Sequence, residues 1–304
     1  MATAPDYSYL RQVVFSRSQN VLDPARDYLF DVRLAPLVRN HGVGQLAGLV
    51  RYLRLRKDAA LEVAVAEAMT INETSFFRDH RPFELLRTDL LPRLIESRRA
   101  TRTLRFWSAA CSTGQEALSL AMVLREHFPQ LGHWDIRIEC TDLCSEALER
   151  ARAGRYHRIE MNRGLPPRYR VRYFDPLGEE WSARPVIHEL CRFRRANLCT
   201  RPLPFSSGFD LIFLRNVMLY FTPETRQHLL SSMHRLLAPD GFLFLGSSEQ
   251  LADAPLWMPV LAGGTCHYHP MPPEGSGTKR TSSAARDESP RACESSPPWT
   301  FSGD

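Results

Sequence analysis

A chain of 304 residues exceeds the roughly 100–200 residues of a single domain, so one large domain with a smaller companion is expected. Hydrophobic residues at 43% and charged residues at 24% exclude a wholly disordered or membrane-embedded class. A net charge of +5, spread along the chain, permits an acidic partner without demanding nucleic acid.

No run approaches the ~20 apolar residues that cross a bilayer, and the start MATAPDYSYLRQ lacks a secretory pattern. The expectation is a cytoplasmic protein with no direct membrane insertion. The seven cysteines, at 111, 140, 144, 191, 199, 266 and 293, form no CxxC pair. They predict reduced thiols, with neither a disulfide framework nor a zinc site.

From Tyr7 to about Met69 the pattern is helical. Asp23-Pro24 makes a cap and first turn, and Phe30, Leu34, Leu37 and Val38 then recur at helical spacing, with Pro36 expected to kink the helix. Asp58 opens another helix carrying Leu61, Val65, Ala68 and Met69. Residues 1–70 therefore read as a small all-helical domain. In LVRYLRLRKD, Arg51, Arg54, Arg56 and Lys57 fall within two turns, either a solvated face or a cationic docking face.

From Leu104 short apolar runs alternate with helices: LRFWSAA, EALSLAMVLREHF, WDIRIECTD, SEALERARAG, then DLIFLRNVMLYF, PETRQHLLSSMHRLL and FLFLGSS. That alternation predicts an α/β fold, a parallel sheet covered on both faces, with ligands at the carboxyl ends of its strands. Residues 101–270 are assigned to this domain, 71–100 to a linker, and 271–304, rich in Ser, Pro, Gly and charge, to a disordered tail.

Candidate site residues follow from the strand ends. The small-residue turn Ser108 to Glu116 lets backbone approach a ligand at a helix N-terminus, or is simply a tight strand-to-helix turn. Asp142 ends IRIECTD, where an acidic residue binds ribose hydroxyls; a helix cap is the alternative, although Ser145 is the more natural cap. Arg195-Ala196-Asn197-Leu198 follows the third strand. Arg215-Asn216-Val217 breaks an apolar run, which points Asn216 and Tyr220 to a cleft, unless Tyr220 only packs on the helix opened by Thr222 and Pro223. His267 and His269 share a strand face but lack a third ligand, so no metal is expected. The basic run Arg192 to Arg195 reads as a solvated face.

Four motifs, TINETSFFRD, WSAACSTGQEALSLA, TDLCSEALERARAGRY and FDLIFLRNVMLYFTPETRQHLL followed by LLAPDGFLFLGSSEQL, together resemble the CheR family of chemoreceptor glutamate methyltransferases over about Tyr7 to Tyr268. The resemblance implies a class I S-adenosylmethionine-dependent methyltransferase fold, a doubly wound sheet with a small N-terminal helical domain and a small β-subdomain inserted at about 164–197. It implies a lid at NETSFFRD, in which Asn72, Thr74 and Arg78 contact the cofactor while Phe76 and Phe77 wedge between domains. By the same resemblance Glu116 and Asp142 bind the methionine and ribose portions, and Asn197, Leu198, Asn216 and Val217 flank adenine and sulfonium. Tyr220 and one arginine before the first strand are the implied catalytic pair; Arg93, Arg98 and Arg99 lie near the expected position, and Arg98 is taken.

Departures are Gln115 and Ala117 where many relatives read GEEP, and Cys144 where relatives often carry a second aspartate. The implied reaction gives glutamate 5-O-methyl esters on methyl-accepting chemotaxis receptors, with the receptors' cytoplasmic helical bundle and other chemotaxis signalling proteins as partners. A silent module binding S-adenosylmethionine or its demethylated product, or a methyltransferase of this fold acting on another carboxylate, is the alternative. Receptor-tail recognition by the insertion is weakened by its shortness, and the aromatic pair Trp299 and Phe301 reads as chance rather than a docking motif.

Overall fold

The computed structural model describes residues 2–251 and 254–272. Trp299, Phe301 and the tail beyond residue 272 lie outside the described residues.

Five helices open the chain: α1 (Ala4–Ser18), α2 (Tyr28–Arg33), α3 (Ala35–Asn40), α4 (Leu46–Arg56) and α5 (Ala59–Ala68). Asp58 caps α5 by accepting the Ala60 and Leu61 amides at 3.0 and 3.1 Å. Pro36, which has no N–H to donate, coincides with the break between α2 and α3. Leu10, Val14, Phe30, Leu34, Leu49, Leu53 and Val65 close a core that belongs to these helices alone. Arg51, Arg54 and Arg56 of α4 and Lys57 just past its end are all exposed, and Arg54 leans onto α1, over the Tyr9 ring and beside Asp6.

After α6 (Arg81–Leu85), a π-helical turn and α7 (Leu91–Ser97), the sheet begins with β1 (Thr103–Ala109), α8 (Gln115–His127), β2 (Asp135–Asp142) and α9 (Ser145–Ala153). Next come β3 (Arg155–His157), α10 (Arg158–Asn162), α11 (Pro167–Tyr173), β4 (Phe174–Leu177), β5 (Glu180–Ala183) and α12 (Pro185–His188). The chain then returns through β6 (Cys191–Arg195), β7 (Phe209–Leu214), α13 (Pro223–Leu236), β8 (Leu237–Leu245), β9 (Trp257–Ala262) and β10 (Thr265–Pro270). The main sheet runs β6-β2-β1-β7-β8-β10-β9, parallel except for β10, which is antiparallel to both neighbours. Strand order reverses between β1 and β7, so a crevice forms at their carboxyl ends.

Three expectations change. The small sheet, β3-β5-β4, recruits Arg155–His157 from before the expected insertion and ends at Ala183; Cys191–Arg195, the expected third strand, is the edge strand β6 of the main sheet. Phe76 and Phe77 do not wedge between the helical region and the sheet. Phe76 sits edge-on to Tyr156 and Phe174 at 5.1 and 5.5 Å, and Phe77 stacks on Tyr169 at 5.3 Å, so they fill the space between α8 and the inserted elements. The Phe77 amide donates to Ser119 Oγ at 2.9 Å, and Gly164 passes so close that an added Cβ would lie 2.1 Å from the Phe76 carbonyl oxygen.

Arg98 is the third correction. It lies before β1, at the amino ends of the strands, where its guanidinium holds Asp210 at 2.7 Å and Asp240 at 2.5 Å. Arg93 pairs with Asp89 and Arg99 with Glu96, so none of the three reaches the strands' carboxyl ends. The Asp210 carboxylate is almost fully buried, and burial pushes its pKa up against the opposing pull of the Arg105 amide and Arg98. Removing Arg98 strands that charge. Arg98→Ala should cost about 3 kcal/mol in chemical denaturation while leaving activity per folded molecule intact; a fold of normal stability with lost turnover would return Arg98 to the chemistry.

Candidate active site

The turn after β1 is built on left-handed backbone. Ala110, Ser112 and Gly114 have φ of 63°, 51° and 95°. Strain of this kind persists where the surroundings impose it. Here the Cys111 amide donates to the Thr141 carbonyl at 2.9 Å, and the Ser112 amide to Asp142 Oδ2 at 2.8 Å. The other Asp142 oxygen accepts the Cys144 amide at 2.9 Å. The carboxylate keeps acceptor capacity for a further donor such as a ribose hydroxyl. Burial pushes the Asp142 pKa up, and the amides of Cys144, Ser112 and Leu143 oppose the shift.

Above this turn runs the segment from Thr70 to Arg78. The Ser112 hydroxyl donates to the Asn72 carbonyl at 2.8 Å, and Arg78 donates to the Glu73 carbonyl at 2.9 Å. Arg215, at the carboxyl end of β7, anchors the segment from below. Its side chain is 2% exposed; one terminal nitrogen pairs with Glu116 at 2.9 Å, and the other reaches both the Arg78 carbonyl and the Asp79 carboxylate at 2.7 Å.

Together these elements enclose a cleft of about 880 Å³, its open mouth included. Asn72, Thr74, Arg78, Glu116, Asp142, Asn197, Leu198, Asn216, Val217 and Tyr220 all line it; Arg98 does not. Two of them are engaged differently from the expectation. Glu116 is held by the Ser108 hydroxyl at 2.6 Å and by Arg215, so each of its oxygens already carries a partner. Asn197 turns its amide to the Arg17 carbonyl at 2.7 Å and its oxygen to the Cys199 amide at 2.9 Å, which ties α1 to β6.

Sequence reasoning did not assign a role to Glu249, although it lies in GSSEQL. Its carboxylate gathers four backbone amides: Asn216 at 2.7 Å, Met218 and Gly246 at 2.8 Å, and Leu219 at 3.3 Å. Asn216 is thereby held at φ 58°, and the short 3₁₀ turn Met218–Tyr220 is fixed over the cleft. Gly246 is required there, because a Cβ would lie 2.6 Å from the Asn216 side-chain nitrogen. The polar Gly-Ser-Ser-Glu run closing an apolar strand was the available signal.

The family model described as the CheR methyltransferase, SAM binding domain matches residues 72–265. The chain belongs to the CheR methyltransferase family. Chemotaxis protein methyltransferase 1 of Pseudomonas aeruginosa is 38% identical over 258 residues, covering 84% of this chain and 93% of that one. Chemotaxis protein methyltransferase Cher2 of Pseudomonas putida is 35% identical, covering 82% and 92%. That of Vibrio parahaemolyticus is 36% identical, covering 81% and 89%. S-adenosylmethionine is the cofactor of this CheR domain. The cleft fits it: the volume suits a molecule of that class, Asp142 offers open acceptor positions beside a backbone turn, and Leu198 and Val217 supply apolar walls.

Among the described residues no group of three or more His, Cys, Asp or Glu is placed to hold a metal, and no helix is long and apolar enough to cross a membrane. His267 packs among Phe242, Phe244 and His269, and burial pulls its pKa down to about 4.

Glu249→Gln tests the loop anchor. One pair of amides must then face an NH₂ group, a loss of about 2 kcal/mol, and kcat/KM should fall roughly 30-fold. Unchanged kcat/KM would show that the loop does not need the carboxylate.

Proposed function

We propose that this chain methylates glutamate side chains on the cytoplasmic helical bundle of methyl-accepting chemotaxis receptors, giving glutamate 5-O-methyl esters and S-adenosylhomocysteine. One observation carries the reading: the described cleft lining contains two arginines, Arg78 and the internally paired Arg215, and a phenol, Tyr220, but no histidine or lysine to serve as a base. Its three carboxylates are engaged: Glu73 pairs with Arg163, which holds its pKa down, Glu116 is bound by Ser108 and Arg215, and Asp142 accepts backbone amides and turns its remaining acceptor positions to the ribose. The Cys111 thiol is buried, and its pKa is raised well above the usual range, so it stays protonated. A site without a free base suits an acceptor that is already anionic, and a glutamate, with an ordinary pKa of about 4.3, is one.

S-adenosylmethionine supplies a methyl group activated by a cationic sulfur. The protein's task is placement, holding a carboxylate oxygen at a near-attack distance of roughly 3 to 3.5 Å in a water-poor cleft. With Arg98 tied to Asp210 and Asp240, and Arg215 ion-paired at both terminal nitrogens, Arg78 is the arginine suited to orient the incoming carboxylate. Burial raises the Tyr220 pKa, with Arg78 opposing. The phenol therefore remains protonated at neutral pH and can donate to the same carboxylate.

A second groove, lined by Leu22, Arg26, Leu29, Met69 and Ile71, ends at Tyr220 and supports entry of the acceptor from the helical region. The exposed Arg51 and Arg56 of α4, with Lys57 just past its end, support long-range attraction of an acidic receptor surface.

Arg78→Ala should lower kcat about 100-fold and Tyr220→Phe about 10-fold, with S-adenosylhomocysteine affinity changed little by calorimetry. Normal turnover in both would remove them from the chemistry. The pH–rate profile checks the absence of a base. It should be flat from about pH 6 to 9, falling only where the acceptor protonates or the tyrosine ionises; an inflection near 7 would reveal a titrating base.

A further inference from the structure

The helix α9 follows directly on Asp142, yet nothing in its own sequence caps it. Cys144 occupies the N-cap position and makes no side-chain hydrogen bond to the helix. Thiols are poor caps. The missing acceptor comes from the helical region instead. Glu67, in the last turn of α5, accepts the Ser145 amide at 3.0 Å and the Ser145 hydroxyl at 3.2 Å. Arg195, at the end of β6, holds the same carboxylate at 2.7 Å and donates its Nε to the Leu143 carbonyl at 3.2 Å.

The loop from Asp142 to Ser145 is therefore gripped at Leu143 and Ser145 by an ion pair whose acidic half lies 78 residues before Ser145 in the chain. Asp142 itself accepts the amide of Cys144, between those two points. We propose that Glu67 is a positioning residue, through which the helical region fixes the Asp142 loop and so sets the affinity of the cofactor cleft. Its carboxylate satisfies an orphan amide at the positive end of α9, a placement that both capping and the helix dipole favour. The same stretch of chain continues into the cofactor lid: Arg33 donates to the Met69 and Thr70 carbonyls, and the Asn72 carbonyl accepts the Ser112 hydroxyl. Loss of Glu67 would free one end of this connection without removing any group that lines the cleft, since Glu67 is not among them.

The inference rests on the reading of Asp142 as the ribose ligand, and the test separates the two. Calorimetric titration with S-adenosylhomocysteine would compare the full chain with Glu67→Ala, Glu67→Gln, Asp142→Asn and the Glu67→Ala/Asp142→Asn double variant. Loss of a cap corresponds to roughly 10-fold weaker binding for Glu67→Ala. Glu67→Gln, which keeps an acceptor but loses the charge toward Arg195, should fall between it and the parent. At saturating cofactor, kcat should change less than 2-fold. Because Glu67 acts through the loop, the double variant should bind no worse than Asp142→Asn alone.

Parental affinity in Glu67→Ala, even with a lowered melting temperature, would reduce the contact to a tie between regions and overturn the proposal. Fully additive losses would overturn it too, by showing that Glu67 acts elsewhere. Parental affinity in Asp142→Asn would instead sink the ribose assignment on which the proposed route depends.

Discussion

A buried guanidinium holds this cleft together. Arg215 leaves the end of β7 with almost no exposure and satisfies Glu116 in the first turn of α8, Asp79 and the Arg78 carbonyl at the same time. Coulombic attraction alone does not justify burying such a cluster, because desolvation offsets most of it. What it secures is geometry. The sheet, the helix behind the small-residue turn and the segment over the cleft converge on one planar fork, so the cleft's floor and cover are set by the same group. Glu116, expected to meet the cofactor, lines the cleft while paired with this guanidinium.

Carboxylates elsewhere in the site act in the same manner, collecting backbone amides rather than standing free. Asp142 collects Ser112 and Cys144, and Glu249 collects Asn216, Met218, Leu219 and Gly246. A site organised this way has rigid loops and few groups able to accept a proton. The proposed methyl transfer to a carboxylate would ask for little else, since such an acceptor is charged before it arrives and the work is orientation.

Much of this was legible in the sequence because the relevant signals are local. Alternating apolar runs and helical stretches set the strand order's raw material, and polar residues placed immediately after apolar runs identified Asp142, Asn216 and Tyr220 as residues of the carboxyl edge. The failures share one cause, distance along the chain. Arg98 lies only a few residues before β1, but the strand runs away from it, so nearness in sequence puts it at the far end of the sheet, where Asp210 and Asp240 wait. Phe76 and Phe77 adjoin the helical region in sequence, yet their partners Tyr156, Tyr169 and Phe174 arrive some 80 to 100 residues later. Glu67 gave no local signal at all, because the helix it caps belongs to a different region.

The central claim is that the transferred methyl ends on a carboxylate. Transfer of labelled methyl from S-adenosylmethionine to receptor-containing membranes, followed by mild alkali, addresses it most directly. Volatile labelled methanol should be released by alkali, at a rate about 100-fold lower when Arg78→Ala replaces the parent protein. Label that stays on the protein through alkali would mean an acceptor other than a carboxylate and contradict the proposed reaction.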